Sequence, residues 1–356
     1  MIETAIRQTE AGRDLSMDEV VETFEQIMCG RCAEDDIARW LLALNRKGAS
    51  VSEVAGAALA LRRKMTPIRS SRPELLDTCG TGGDQLSTFN ISTAAALVTA
   101  AAGVPVAKHG NRAASSRSGS ADVLAVLGVN VEADVACVER CLDELGICFC
   151  FAPLLHNAMK HVAPVRKKLG VPTIFNILGP LINPAGASRQ LLGVGRAKFR
   201  TLLAEALVLL GTARSAVVHG SDGLDEVTLT GFTEVAEATG QIRHFRWTPA
   251  DFGLEDIELA SIQVNGPEQS AAMICGVLGG QPGPARAIIV ANAAAALWTA
   301  GAAATPAAGA ALAATAIDTG AAGDLLARLA ALSHRIAPAA ERRGHGPSQS
   351  SGGMVN

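Results

Sequence analysis

Leu75-Leu76-Asp77-Thr78-Cys79-Gly80-Thr81-Gly82-Gly83-Asp84, running on through Gln85 and Leu86 to Asn90, decides the fold class of this 356-residue chain. A short apolar run ends in a glycine-rich turn, and a helical pattern opens near Asn90: strand, loop, helix. Upstream, the first seventy residues read as helices only. Ser16-Met17-Asp18-Glu19 and Ser50-Val51-Ser52-Glu53 have capping-box spacing, in which the Ser oxygen and the Glu carboxylate satisfy free backbone N–H groups. Val20, Val21, Phe24, Ile27 and Met28 recur at helical spacing, Gly30 is a stop, and further helices are expected over 37–44 and 54–63. Downstream, short apolar strands at 104–107, 147–151, 190–194 and 216–218 alternate with helical stretches at 121–127, 133–145 and 199–210. That alternation predicts a mainly parallel sheet covered by helices. The expected architecture is α/β, a small all-helical domain plus a larger α/β domain with a mainly parallel central sheet. The helical domain takes residues 1–70 with returning helices at about 153–186. The α/β domain takes 71–152 and 187–337, with an antiparallel hairpin over 233–247 turning at Gly240 and helices from Ala287 to about Ile336. The Gly-, Ser- and Pro-rich stretch 338–356 is expected to be a disordered tail.

Composition narrows the function. Hydrophobic residues make up 49% of the chain, enough for a large core, and the net charge is −3 with both signs interspersed. No dense basic face suggests a nucleic-acid or membrane partner. The first residues lack the basic-then-apolar order of a signal peptide. The apolar runs at 94–106 and 287–316 are Ala/Gly-rich and interrupted by Pro, Asn or Thr, so they read as buried helices. A cytoplasmic protein is expected. Among the eight cysteines only Cys29 and Cys32 have CxxC spacing, with no second pair to complete a zinc site. Buried structural thiols are expected instead. Tyrosine is absent, so no Tyr acid or base can operate.

Three loops carry the chemistry. In the first, glycines at 80, 82 and 83 let backbone N–H groups approach a ligand, and the helix starting near Asn90 points its positive end at the same place. Thr88, Asn90, Ser92 and Thr93 add side-chain donors there. The loop matches neither the Walker nor the GxGxxG pattern, and a pyrophosphate is its natural guest. The second, Lys108-His109-Gly110-Asn111-Arg112, is placed just past a strand, where parallel-sheet enzymes bind ligands. Lys108 and Arg112 bring charge, and Ser115, Ser116 and Ser120 bring hydroxyls for a phosphate. The third is His219-Gly220-Ser221-Asp222-Gly223-Leu224-Asp225-Glu226, whose adjacent carboxylates are hard ligands suited to magnesium, or else a surface acidic turn.

GTGGD, TFNISTA, KHGNRAASS, HNAMKHVAPVRKKLG, IFNILGPLINPA and HGSDGLDE occur in this order. From about residue 10 to 335 the chain resembles the anthranilate phosphoribosyltransferases, the tryptophan-pathway members of the nucleoside phosphorylase-like transferases. The resemblance implies transfer of the phosphoribosyl group of phosphoribosyl pyrophosphate (PRPP) to the amine of anthranilate, with Mg2+ as cofactor. It also implies a homodimer formed through the helical domain. It implies PRPP contacts at Gly80, Gly83, Asp84, Thr88, Asn90, Ile91, Ser92, Thr93, Lys108, His109, Gly110, Asn111, Arg112, Ala113, Ala114, Ser115, Ser116 and Ser120. Anthranilate would meet Gly80, Asn111 and Arg166, and the metal would meet Ser92, Asp225 and Glu226. No residue is assigned as a catalytic acid or base: an aromatic amine is neutral near pH 7, so positioning and leaving-group stabilisation suffice. His109 and His156 are available as hydrogen-bonding partners. Asn157 stands where many relatives have Pro, and Gln85-Leu86 varies the glycine-loop exit.

Two other readings stay open at this point. A pyrimidine-nucleoside phosphorylase shares the glycine-loop signature but carries Lys after the loop's Asp, where this chain has Gln85, and an SGRG-like segment in place of residues 108–112. A non-enzymatic nucleic-acid-binding paralogue would be basic on one face and would lack Asn111 and Arg166.

Overall fold

A computed structural model describes residues 2–113 and 117–335; the expected tail at 338–356 lies outside them. Four helices open the chain: α1 (Ile2–Glu10), α2 (Met17–Met28), α3 (Glu34–Lys47) and α4 (Val51–Arg62). Both capping boxes form, at Ser16/Glu19 and Ser50/Glu53. Gly30 follows the end of α2 with a positive φ of 69°. Gly56 lets α4 lie directly against α2, since a Cβ there would stand 2.6 Å from the Met17 carbonyl oxygen.

Seven strands follow: β1 (Leu76–Gly80), β2 (Val106–Gly110), β3 (Ile147–Phe151), β4 (Arg189–Gly193), β5 (Arg214–Gly220), β6 (Thr233–Ala238) and β7 (Ile242–Trp247). Their order is β3-β2-β1-β4-β5-β6-β7. The first five are parallel, while β6 and β7 form the expected antiparallel hairpin, turning at Gly240 with φ 82°. The order reverses between β1 and β4, creating the crevice beyond the strand ends where open α/β sheets bind ligands.

Alternate residues of the central strands enter opposite layers, as the two-residue period requires. Leu191, Ala216 and Val218 join a core with helices α5 (Ile91–Ala101), Pro284–Ala300, Pro306–Asp318 and Ala321–Ser333. Leu192, Val194 and Val217 join a second core with α1–α4, the helix Lys198–Leu209 and residues of 162–182. Phe24 of α2 touches Trp40 at 5.4 Å and Phe175 at 5.5 Å, so the segment after β3 lies on the N-terminal helices. On the other face of the sheet Trp247 and Trp298 meet edge-on at 5.1 Å.

Three features depart from expectation. The second strand extends through Lys108, His109 and Gly110, which were expected to be a loop; Lys108 and His109 are buried because their side chains find partners inside the protein. The thiols divide: Cys79, Cys137, Cys141, Cys148 and Cys150 are buried, but Cys29 and Cys275 are exposed and Cys32 is half-buried, these three lying at or beside helix ends and surfaces rather than under the sheet. Helix Pro267–Leu278, which the sequence pattern did not flag, sets Ser270 against Asn90. No helix among the described residues is long and apolar enough to cross a membrane.

The capping box of α4 also anchors the helical layer. Fully buried Glu53 accepts from Ser50 N (2.8 Å), Leu15 N (3.0 Å) and Lys47 Nζ (2.8 Å), the Lys47 side chain being itself 8% exposed. Glu53→Ala leaves two N–H groups without their acceptor and leaves that ammonium only the Asp14 carboxylate and the Gly48 carbonyl. A loss of about 2–4 kcal/mol is expected in urea denaturation, with Glu53→Gln milder; a loss under about 1 kcal/mol would contradict this account.

Candidate active site

Gly80 ends β1 in the crevice, and a Cβ there would stand 2.6 Å from Asp225 Oδ2. On the neighbouring strand Gly193 accepts the Thr81 N–H through its carbonyl oxygen (2.9 Å), and a Cβ on Gly193 would overlap the Asp225 carbonyl. Two glycines are therefore needed for Asp225 to reach the switch point at all. Gly82 N donates to Asp225 Oδ2 (2.9 Å). The loop exit is strained: Gln85 and Ser87 are non-glycine residues with φ of 61° and 56°. It is held by a segment from far along the chain. Val264 N donates to Ser87 O (2.8 Å), Phe89 N to Ile262 O (3.0 Å), and Gln263 Nε2 to Leu86 O (2.9 Å), with Thr88 bridged to Gln263.

Asn90 precedes α5, yet its side chain does not cap the helix. Its Oδ1 accepts from Ser118 Oγ (2.6 Å) and Ser270 Oγ (2.9 Å), and its Nδ2 donates to Ser118 O (3.1 Å). The helix N-terminus was expected to present free N–H groups to a ligand. Instead the Glu226 carboxyl group already accepts the Ser92 N–H (3.0 Å) at the positive end of the dipole. Ile91 and Thr93 turn into the core, each 1% exposed. Thr93 Oγ1 is buried with no partner among the described residues, so only the backbone of these two candidates faces the crevice.

Lys108 reaches across from β2. Its Nζ donates to Thr78 O (2.6 Å) and Ser92 Oγ (3.3 Å). Burial lowers its pKa, an effect opposed by Asp77, Cys79, Glu226 and Asp225. Asp225 and Glu226 are half-buried in the crevice rather than lying on an exposed surface turn. Burial, with Asp84 second, pushes Asp225 up to about 7, and burial, with Asp225 second, pushes Glu226 up to about 8. Such a pair is poised for a cation. The donor set is two hard carboxylates beside the Ser92 hydroxyl, suited to magnesium rather than to a soft metal. Among the described residues no three His, Cys, Asp or Glu side chains form a closed metal cage, so ligand oxygens and water would complete the shell.

The rest of the second motif divides. Asn111 Oδ1 accepts the Arg112 N–H (2.7 Å), and its backbone oxygen accepts from Ala121 N (3.2 Å) and Ser120 Oγ (3.3 Å). Arg112 is engaged away from the glycine loop, paired with Asp122 (3.3 Å) and Glu132 (3.0 Å), while Ala113 N donates to Asp122 Oδ2 (2.9 Å). Ala114, Ser115 and Ser116 lie outside the described residues. Arg166 is half-buried, stacks over the Phe175 ring at 5.3 Å and has no ion pair among the described residues, whereas Lys167 is exposed and Lys168 meets Asp35 at 3.6 Å. Burial lowers the Arg166 pKa from its ordinary value.

His109 turns its ring away from the glycine loop, toward Gly179. Its Nδ1 lies 3.2 Å from Gly179 O, which can only accept, so Nδ1 carries the proton. Nε2 is then an acceptor, and His156 Nε2, 3.0 Å away, is its donor. Burial is the first cause of both depressed pKa values, about 3 for His109 and about 4 for His156, with repulsion by His156 adding to the former.

Two matches to known families frame this geometry. The helical bundle domain of a glycosyl transferase family matches residues 3–65, and its a/b domain matches residues 72–323. Anthranilate phosphoribosyltransferase of Rhodospirillum rubrum is 53% identical over 332 residues, covering 93% of this chain and 95% of that protein. The chain belongs to the anthranilate phosphoribosyltransferase family. A crystal structure of the Thermus thermophilus enzyme superposes with TM-score 0.88 at 43% identity, covering 93% of this chain and 99% of that one. The Saccharomyces cerevisiae enzyme in complex with PRPP and Mg superposes with TM-score 0.85 at 28% identity, covering 93% and 97%.

The histidine pair makes the protein acid-sensitive. Both folded pKa values lie below the ordinary 6.5, so the unfolded chain takes up protons that the folded one refuses. Their contribution is complete above pH 6.5 and is lost as pH falls toward 4, by about 2 kcal/mol per histidine between pH 7 and 5. Urea titrations at pH 5, 6 and 7 should show a flatter slope for His156→Gln; an unchanged slope would mean that His156 titrates normally.

Proposed function

We propose that this chain transfers the phosphoribosyl group of PRPP to the amine of anthranilate, releasing pyrophosphate and N-(5-phosphoribosyl)anthranilate, in tryptophan biosynthesis. One observation carries the reading: the glycine loop, the start of α5, buried Lys108 and the Asp225–Glu226 pair converge on the crevice between β1 and β4. Only a ligand rich in phosphate makes use of all four. Gly80, Gly83 and Asp84 would line the pyrophosphate, with Thr88, Asn90 and the backbone of Ile91 to Thr93 beyond them. Lys108 to Ala113 and Ser120 would form the opposite wall.

The leaving pyrophosphate carries the developing charge, and Lys108, held rigid between Thr78 O and Ser92 Oγ, is a cation already in place to meet it. Magnesium, which the yeast relative holds together with PRPP, would be held by Ser92, Asp225 and Glu226 and would neutralise further charge on the pyrophosphate. Charge builds at the ribose C1 as its bond breaks, and the neutral amine of anthranilate can attack without a strong base. The proximity of two bound substrates then supplies most of the acceleration. We assign the anthranilate carboxylate to Arg166, with Gly80 and Asn111 beside the ring. A planar guanidinium stacked on Phe175 and lacking an acid partner among the described residues is ready to accept one. We place residues 153–186 with the helical domain, and propose a cytoplasmic homodimer joined through that domain.

Arg166 provides the test. Arg166→Lys keeps the charge but loses the fork, so it should raise the KM for anthranilate while the KM for PRPP changes little. Arg166→Ala should be worse by roughly 1.5–3 kcal/mol in kcat/KM for anthranilate. Aniline, which lacks the carboxylate, should react equally slowly with all three proteins. Lys167→Ala serves as surface control; if it impairs anthranilate use as much as Arg166→Ala, the carboxylate is read elsewhere.

A further inference from the structure

Helix Pro284–Ala300 is an almost unbroken apolar rod, Ala-Ile-Ile-Val-Ala-Asn-Ala-Ala-Ala-Ala-Leu at its centre, and Asn292 interrupts it while fully buried. An amide in that position weakens the helix relative to alanine and costs desolvation unless every polar atom is bonded. Here each one is. Oδ1 accepts the Val227 N–H (2.9 Å), and Nδ2 donates to Val227 O (2.9 Å) and to Ile288 O (2.9 Å). One side chain therefore holds both backbone groups of the residue that follows Glu226, as a neighbouring strand would. On the other flank Asp222 closes the loop: Oδ1 accepts from Leu224 N (3.0 Å), and Oδ2 accepts from Thr228 Oγ1 (2.7 Å) and Thr230 Oγ1. The carboxylate pair is thus suspended between two clamps. The helix bearing Asn292 also packs along α5, which carries Ser92, so Ser92 and Glu226 share one rigid frame.

We propose that Asn292 is a positioning residue that fixes the Asp225–Glu226 carboxylates in the register needed to receive a divalent cation with PRPP. This rests on the reading of those two acids as metal ligands. Asn292 touches neither substrate nor metal; it acts through the Val227 backbone, and outer partners of this kind typically change metal affinity by about 10–100-fold when removed.

The test uses the full chain with PRPP and no anthranilate, so nothing turns over. Mn2+ is titrated in, and its free fraction is read by electron paramagnetic resonance, with a thermal melt of each variant alongside. Asn292→Leu, close in size but without the amide, should bind Mn2+ at least about tenfold more weakly than the unaltered chain. Asn292→Asp keeps the acceptor for Val227 N–H and should fall between the two, which preserves the test if the leucine variant does not fold. Leu297→Ala, which empties core volume from the same helix, should melt lower yet bind Mn2+ normally. Normal Mn2+ binding by a folded Asn292→Leu, or an equal deficit in Leu297→Ala, overturns the proposal. The double substitution Asp225→Asn with Glu226→Gln separates the two levels. If it too binds Mn2+ normally, the metal assignment itself is wrong; if it alone loses Mn2+, only the role of Asn292 is wrong.

Discussion

The Glu226 carboxyl group resting on the Ser92 N–H is the contact on which the site depends. Ser92 belongs to the half of the sheet that winds outward from β1 through β2 to β3. Glu226 belongs to the half that winds through β4 and β5. The bond joins the halves across the point where strand order reverses, at the place where a helix dipole most favours an anion. Around it the remaining pieces have little freedom. Lys108 must lie between Thr78 and Ser92, and the glycines at 80 and 193 must leave room for Asp225. The buried ammonium and the two acids then compensate one another in a region where neither alone would remain charged at modest cost.

Much of this was legible in the residues themselves. The change of texture at Leu75, the glycine run, both capping boxes and the hairpin at Gly240 are local patterns with local causes, and each led to the right element. The second motif misled because a lysine and a histidine in succession look solvated; only the partners across the sheet, Thr78 O and the His156 ring, make a buried strand of them. Arg112 likewise pairs with Asp122 and Glu132, 10 and 20 residues on, which its own motif does not mark. Asn292 read as an interruption in an alanine run, and the 262–264 segment that props the glycine loop carried no signal at all. Contacts of that kind are properties of the packed chain, and no period or spacing encodes them.

The helical layer does more than cover the sheet. Phe24 of α2 backs Phe175, and Phe175 is the surface on which Arg166 lies. The Gly179 carbonyl, in the same returning segment, sets the tautomer of His109 and through it orients His156. Arg166, assigned to the anthranilate carboxylate, thus takes its position from the helical layer, whereas Gly80 and Asn111, assigned to both substrates, are set by the sheet.

The chain has no tyrosine and three tryptophans, and their placement gives the molecule a useful optical signature. Trp40 lies in the helical core against Phe24, whereas Trp247 and Trp298 touch each other beyond the far side of the sheet. Ultraviolet emission excited near the red edge of protein absorption therefore comes from two separate locations with no phenolic background. A tryptophan-to-phenylalanine change at 40, or at 247 and 298 together, would leave a single-region reporter. The order in which the helical layer and the outer sheet lose structure could then be followed in one cuvette without any attached dye.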